Sequence, residues 1–225
     1  MPNKFRFLLP ILLLAVFLTG LFLLPQPYWA VLTALLAAWV MWEWGGLADL
    51  NTGARGVLGG IALALAVGLM VFFPETLLSV APSGEEQRVE YKMFVWAAWD
   101  FGGWFYGPAV LFWCLLAPTW VKRQWRLGRG RWGKALSSIL GLGLILTTWL
   151  ALVQMRAYDA GLLIFCCWFA ALMRLALPAG LVKALLSPQA DSARPAPLLE
   201  GAAILMPLLH FFSVLLLLLE VQMPD

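Results

Sequence analysis

Residues 122–134 read KRQWRLGRGRWGK, and residues 135–155 continue ALSSILGLGLILTTWLALVQM. The second stretch holds 21 residues and no charged side chain. As a helix rising about 1.5 Å per residue it is about 30 Å long, the depth of a bilayer's hydrocarbon core. The first stretch is its opposite, with six basic residues, no acidic one and two tryptophans. An uncharged helix that starts at a basic boundary has the pattern of a membrane span whose positive end stays on the cytoplasmic side.

Six further apolar segments accompany it: 7–24, 28–44, 57–73, a stretch beginning at 93 or 100 and ending at 120, 161–177 and 201–219. Of the 225 residues, 63% are hydrophobic and 12% charged, where a soluble domain carries about 25% charged residues. Mean hydropathy is +0.87. This excludes an ordinary soluble enzyme. It also excludes an outer-membrane barrel, whose strands alternate apolar and polar residues, because these segments are apolar on every face. Lipid admits only backbone that is hydrogen-bonded within itself. The expected fold is all-α: a polytopic transmembrane helical bundle of about seven spans, forming a single integral membrane domain over residues 1–225.

The boundaries follow from local chemistry. Met1 to Leu24 has the basic start and apolar run of a signal peptide, but no Ala-Xaa-Ala cleavage site, and it leads into another apolar run. It is expected to be a retained first span. Pro25-Gln26-Pro27 is short enough only for a helical hairpin, with Tyr28 and Trp29 at the aromatic belt. Residues 74–92, with Glu75, Glu85, Glu86 and Glu90 and the turn-forming Ala81-Pro82-Ser83-Gly84, read as a solvated connector. Met93 to Trp120 is 28 residues, longer than a span requires. Either its helix begins at the outer surface with Asp100 near the headgroups, or it is long and tilted around Gly107 and Pro108. The first is preferred, since it keeps a carboxylate out of hydrocarbon at a saving of roughly 3 kcal/mol.

Loop charges set the orientation. With the N-terminus cytoplasmic, the inner segments hold Lys4, Arg6, Arg55, Lys122, Arg123, Arg126, Arg129, Arg131, Lys134, Lys183 and Arg194, and the outer ones only Arg88, Lys92 and Arg156. Eleven against three predicts N-in and C-out.

Lys122, Arg123, Arg126, Arg129, Arg131 and Lys134 are the candidate lipid-headgroup residues, each worth about 1 kcal/mol beside an anionic surface. Their other reading is as topology determinants alone. A loop of 13 residues is too small for a nucleic-acid footprint, and Gly128-Arg129-Gly130 lacks the ending of a phosphate loop. Glu43, among Trp39, Trp42 and Trp44, is either a pairing group for a basic neighbour or a solvated helix end. Arg174 falls 13 residues after Gly161, about 20 Å in from the outer end. It either snorkels to the cytoplasmic surface or forms a buried ion pair or lipid-phosphate contact. His210, the one histidine, reads as a hydrogen-bonded core residue, and Cys114, Cys166 and Cys167 as small apolar residues. No catalytic residue and no metal ligand is assigned: Glu43, Asp49, Asp191 and Glu200 are dispersed, and no serine or cysteine pairs with a histidine.

Four stretches carry a family likeness. Leu36-Ala37-Ala38-Trp39-Val40-Met41-Trp42-Glu43-Trp44-Gly45-Gly46-Leu47 resembles the end of the second helix of bacterial phosphatidate cytidylyltransferases, the CDP-diacylglycerol synthases. The run from Phe112-Trp113 to Pro118-Thr119-Trp120, the basic Arg123-Gln124-Trp125-Arg126-Leu127, and Thr148 to Ala157 resemble the same family in order and spacing. The likeness covers residues 1–160, the family's N-terminal scaffold, and leaves 161–225 as a divergent remnant of the catalytic region. It implies a multi-pass protein of the bacterial inner membrane, acting in phospholipid metabolism. The family joins CTP and phosphatidate into CDP-diacylglycerol and diphosphate with Mg²⁺. Its catalytic segment has an aspartate followed by a tyrosine, a Gly-Lys segment, a Ser-Pro-Gly-Lys-Thr-Xaa-Glu-Gly motif and C-terminal metal-binding aspartates. Here the first aspartate falls at about Ala176, the tyrosine has no counterpart, and Lys183 alone remains of the Gly-Lys segment. Pro195, Glu200 and Gly201 match within the next motif, and the metal-binding aspartates are lacking. The resemblance thus implies a catalytically inactive relative without a cofactor, which binds anionic lipid, partners a lipid-modifying enzyme or self-associates. The alternative is an active enzyme, alone or completed by a second chain, which then requires Mg²⁺. A small transporter subunit fits poorly, because the spans hold few ionisable groups.

Overall fold

The computed structural model describes residues 15–78, 101–116, 131–176 and 205–215, and among these the chain is helical with no strand. In chain order the helices are α1 (15–23), α2 (Gln26–Leu47), α3 (Thr52–Phe72), α4 (Pro74–Leu78), α5 (101–111), α6 (Arg131–Tyr158), α7 (Ala160–Ala176) and α8 (Leu205–Leu215). Each of the seven apolar segments carries a helix. Two of them, Thr52–Phe72 and Trp132–Tyr158, are long and apolar enough to cross a membrane.

The turns explain where the helices stop. The chain reverses over Leu24 and Pro25, with Pro25 as the N-cap of α2 and Pro27 in its first turn, where a missing N–H breaks no bond. Phe17 of α1 meets Trp29 of α2 edge-on at 5.2 Å, closing the expected hairpin. At the other end of α2, the Leu50 N–H donates to the Gly45 carbonyl at 3.0 Å and the Asp49 N–H to the Gly46 carbonyl at 3.2 Å. This is the paired C-terminal cap that requires one left-handed residue, and Asp49 supplies it at φ 53°. Asn51 then caps α3, its side chain accepting from the Ala54 N–H at 2.8 Å.

Small residues bring α2 and α3 together. Ala30, Ala34, Ala37 and Met41 on one helix and Ala62, Ala66 and Met70 on the other are buried. At Gly59 a Cβ would come within 2.9 Å of the Ala38 carbonyl oxygen. At that point α3 approaches α2 almost backbone to backbone, as small residues allow. The centre of the molecule is α6, half of whose apolar window is buried, whereas α3 leaves most of its surface outward. Helices α2, α4 and α7 pack on α6, α5 and α8 hydrogen-bond to it, and Phe165 of α7 meets Phe212 of α8 at 6.1 Å.

Three local expectations change, and the fourth segment gains a feature. Residues 131–134, read as part of a loop, form the first turn of α6. The 74–92 connector starts as a helical turn, α4, with Leu77 fully buried, because the apolar pair Leu77-Leu78 follows a proline that can open a helix. Arg156 belongs to no loop: α6 runs to Tyr158, and only Asp159 separates it from α7. In the fourth segment, α5 passes through Gly107 and Pro108 and widens into a π-helical turn at Phe112–Leu116. A proline withdraws one N–H from the ladder, and a wider turn is one way to absorb such a defect. Asp100 and residues 93–99 lie outside the described residues.

Candidate functional site

Three groups of polar side chains tie the helices together, one at each end of the α2–α6 pair and one in the middle. Two of the sequence-derived candidates, Lys134 and Glu43, lie near the α2–α3 turn. Lys134, in the first turn of α6, donates from Nζ to the Asp49 carbonyl at 2.7 Å and to Asp49 Oδ2 at 2.9 Å. It thereby holds the capped end of α2 against the start of α6. Glu43 Oε1 accepts from Trp39 Nε1 at 3.2 Å, one helical turn back. Trp44 Nε1 donates to the Ser137 carbonyl at 2.9 Å. That indole lies where a side chain on α6 would be, since a Cβ at Gly141 would fall 2.3 Å from its Nε1. Lys134 and Glu43 are therefore brought to one end of the molecule. Arg131 and Arg174 have a described backbone, in the first turn of α6 and the last of α7, and their side chains are not described. Lys122, Arg123, Arg126 and Arg129 lie outside the described residues.

The opposite end holds a group that hydropathy does not single out. Gln26, read above only as turn material, is 4% exposed. Its Nε2 donates to the Val153 carbonyl at 2.8 Å and the Leu77 carbonyl at 3.1 Å. Its Oε1 accepts from Arg156 Nη1 at 2.6 Å. Arg156 also donates from Nε to the Leu21 carbonyl at 2.9 Å and from Nη2 to the Leu24 carbonyl. The Leu21 carbonyl, orphaned where α1 ends, and the Leu24 carbonyl of the turn are thus satisfied by one guanidinium. Its carbon lies 5.3 Å from the centre of the Trp29 ring. Below this clasp two buried tryptophans cross: Trp29 Nε1 donates to the Leu152 carbonyl at 3.3 Å, and Trp149 Nε1 to the Ala30 carbonyl at 3.1 Å. The signal in the sequence is a glutamine between two prolines at the head of an apolar helix, and an arginine ending an uncharged stretch.

In the middle, α5, α6 and α8 share polar contacts around His210, which is fully buried. Trp113 Nε1 donates to His210 Nδ1 at 3.1 Å. An indole can only donate, so Nδ1 carries no proton. Thr148 gives its single hydroxyl proton to the Leu144 carbonyl at 2.7 Å. At 3.2 Å from His210 Nε2 it therefore accepts, and the histidine is the neutral Nε2–H tautomer. Nearby, the Tyr106 hydroxyl donates to Gln154 Oε1 at 2.6 Å. Ser213 Oγ on α8 is buried and without a hydrogen-bond partner among the described residues.

Chemically this is a framework. Both nitrogens of His210 are committed to protein groups, so neither is open to a substrate proton. Among the described residues no three of His, Cys, Asp or Glu come together. What the described residues present outward is largely apolar and aromatic, with a cationic and tryptophan-rich end at the α2–α3 turn. No protein-family model, curated protein or solved structure matches the chain.

Proposed function

We propose that this chain is a multi-pass protein of the bacterial inner membrane, N-in and C-out with about seven spans, that binds anionic phospholipid at its α2–α3 end. In this reading it is a non-catalytic relative of the CDP-diacylglycerol synthases, serving as a lipid-binding scaffold or as a partner of a lipid-modifying enzyme. The observation that carries it is the composition of that end. Trp39 is 56% exposed, Trp42 38% and Trp132 88%. Trp42 lies against Arg55, and Trp132 and Lys134 belong to the basic stretch 122–134 itself, in the first turn of α6. Exposed tryptophan is unfavourable in water and favourable at a headgroup layer, where cations also meet lipid phosphates. The outward Val57, Leu65, Val71 and Phe72 of α3 support the same placement.

Native mass spectrometry of the purified chain tests the lipid reading. Co-purifying lipid should be enriched in phosphatidate or phosphatidylglycerol over phosphatidylcholine. Changing Arg123, Arg126, Arg129 and Arg131 together to glutamine should reduce that enrichment, whereas an unchanged lipid profile leaves the basic stretch only its role in orientation. Turnover is tested separately, with radiolabelled CTP, phosphatidate liposomes and excess Mg²⁺. No product above a no-protein control is expected. Product that disappears on Asp191→Ala or Glu200→Ala would establish the active-enzyme alternative.

A further inference from the structure

The α2–α3 turn holds a second cation besides Lys134, and its surroundings are shaped to it. Arg55 lies in the first turn of α3, its guanidinium carbon 3.9 Å from the centre of the Trp42 ring. Its Nε donates to the Trp42 carbonyl at 3.0 Å. Gly45 and Gly46 lie against the side chain. A Cβ at Gly45 would meet Arg55 Cγ at 2.9 Å, and one at Gly46 would meet Nη2 at 3.0 Å and Cζ at 3.1 Å. Within a helix each glycine is about 1 kcal/mol less favourable than alanine. Here two in succession open the trough in which Arg55 rests.

The Trp42 ring at 3.9 Å bounds the guanidinium plane on one side, the Nε bond anchors it to the Trp42 carbonyl, and the trough holds its stem. Five N–H donors lie in that plane. One is used by the Trp42 carbonyl, and among the described residues no acceptor or carboxylate takes the donors on Nη1 and Nη2. The unused edge is a two-pronged donor matching two oxygens of a phosphate. A cation that only complemented the C-terminal end of α2 would need charge near the last carbonyls, but neither a trough nor a fixed fork.

We propose that Arg55, seated in the Gly45–Gly46 trough against Trp42, binds the phosphate of an anionic lipid headgroup. This rests on the membrane placement proposed above, and adds to the basic stretch a contact of fixed geometry. Because stacked guanidinium groups keep their in-plane donors, Trp42 restrains the side chain without competing for the ligand.

The test uses the full chain in detergent, equilibrated with vesicles of phosphatidylcholine containing phosphatidate, and reads bound lipid by native mass spectrometry. Arg55→Gln should lower phosphatidate retention relative to phosphatidylcholine roughly tenfold, the ratio that about 1.4 kcal/mol brings. Gly46→Ala keeps every charge and favours helix, yet should also lower retention, because its Cβ displaces the guanidinium. It keeps the test decisive if Arg55→Gln fails to fold. Retention unchanged in Arg55→Gln removes Arg55 from binding; retention lost in Arg55→Gln but intact in Gly46→Ala reduces it to undirected charge. Either result overturns the site. If the wild-type chain shows no preference for phosphatidate, the function proposed above fails along with the site. A preference that both variants share defeats the site alone. Inorganic phosphate separates the sources: phosphatidate held in its presence assigns the site to lipid, and phosphatidate displaced by it assigns the fork to phosphate as such.

Discussion

Gln26 shows how much one side chain can hold. Its amide meets α4, α6 and the Arg156 guanidinium at once, so a leucine of similar size would leave Arg156 short of an acceptor and two carbonyls short of a donor. Losing hydrogen bonds to a charged group costs about 1.5–3 kcal/mol. Gln26→Leu should lower the thermal unfolding midpoint in detergent accordingly, and a midpoint equal to wild type would mean that water replaces the amide. His210 offers a cleaner dissection. His210→Phe orphans the Trp113 N–H, while Thr148 keeps its bond to Leu144, at about 1–3 kcal/mol for one unsatisfied buried donor. Adding Trp113→Phe removes that orphan, so the double variant should be less destabilised than the two single variants summed. Strict additivity would deny the bond. Hydropathy could place His210 inside, being one polar residue in an apolar run. It could not name its partners, which lie 97 and 62 residues away.

Between elements, close approach is set by glycine. Gly141 admits the Trp44 indole onto α6. Gly141→Ala should push that ring off the Ser137 carbonyl and destabilise by about 1–3 kcal/mol, as overpacking does. In a Trp44→Ala background the same change should be neutral or stabilising, since alanine then only improves helix propensity. A penalty that persists would point to a different clash. At the α2 cap, Asp49 holds a left-handed backbone that costs a side-chain-bearing residue about 1–2 kcal/mol, and its ion pair with Lys134 is made by a side chain that is 93% exposed. Exposed pairs are worth about 0–1 kcal/mol. Asp49→Gly should therefore be neutral or mildly stabilising in the same unfolding measurement, and a clear loss would show that Lys134 matters more to the α2–α6 contact than screening allows. That α2 ends near Gly45-Gly46 is readable from glycine alone; that an aspartate takes the left-handed position is not.

At the scale of the whole molecule, the orientation prediction is the most exposed. Under the proposed seven-span topology, fusing to Asp225 a reporter active only in the cytoplasm should give little signal, because the bias of eleven loop cations against three favours an inside N-terminus, and seven spans would then put the C-terminus outside. Strong signal would mean that one segment, 93–120 or 161–177, does not cross. Moving Arg156 from the outer loop count to the α1 clasp leaves the bias at eleven against two, so the prediction does not depend on it.

Composition and apolar runs sufficed for a helical fold among the described residues, for helix in each of the seven segments and for the hairpin at Pro25, because hydrophobic length and proline geometry act over neighbouring residues. They also placed Glu43 near the end of α2, since charge is visible one residue at a time, but read Lys134 as loop where it is helical. Nothing local foretold that α6 would be the central pillar, that Gln26 and Arg156 would join α1 to α6, or that Arg55 would lie on Trp42 over two glycines. The contacts of Gln26 and Arg156 join residues more than a hundred apart in the chain, those of Arg55 join two helices across a turn, and which polar atoms meet depends on how closely the backbones approach. That distance is set by small residues such as Gly59 and Gly141 only once the facing helix is in place.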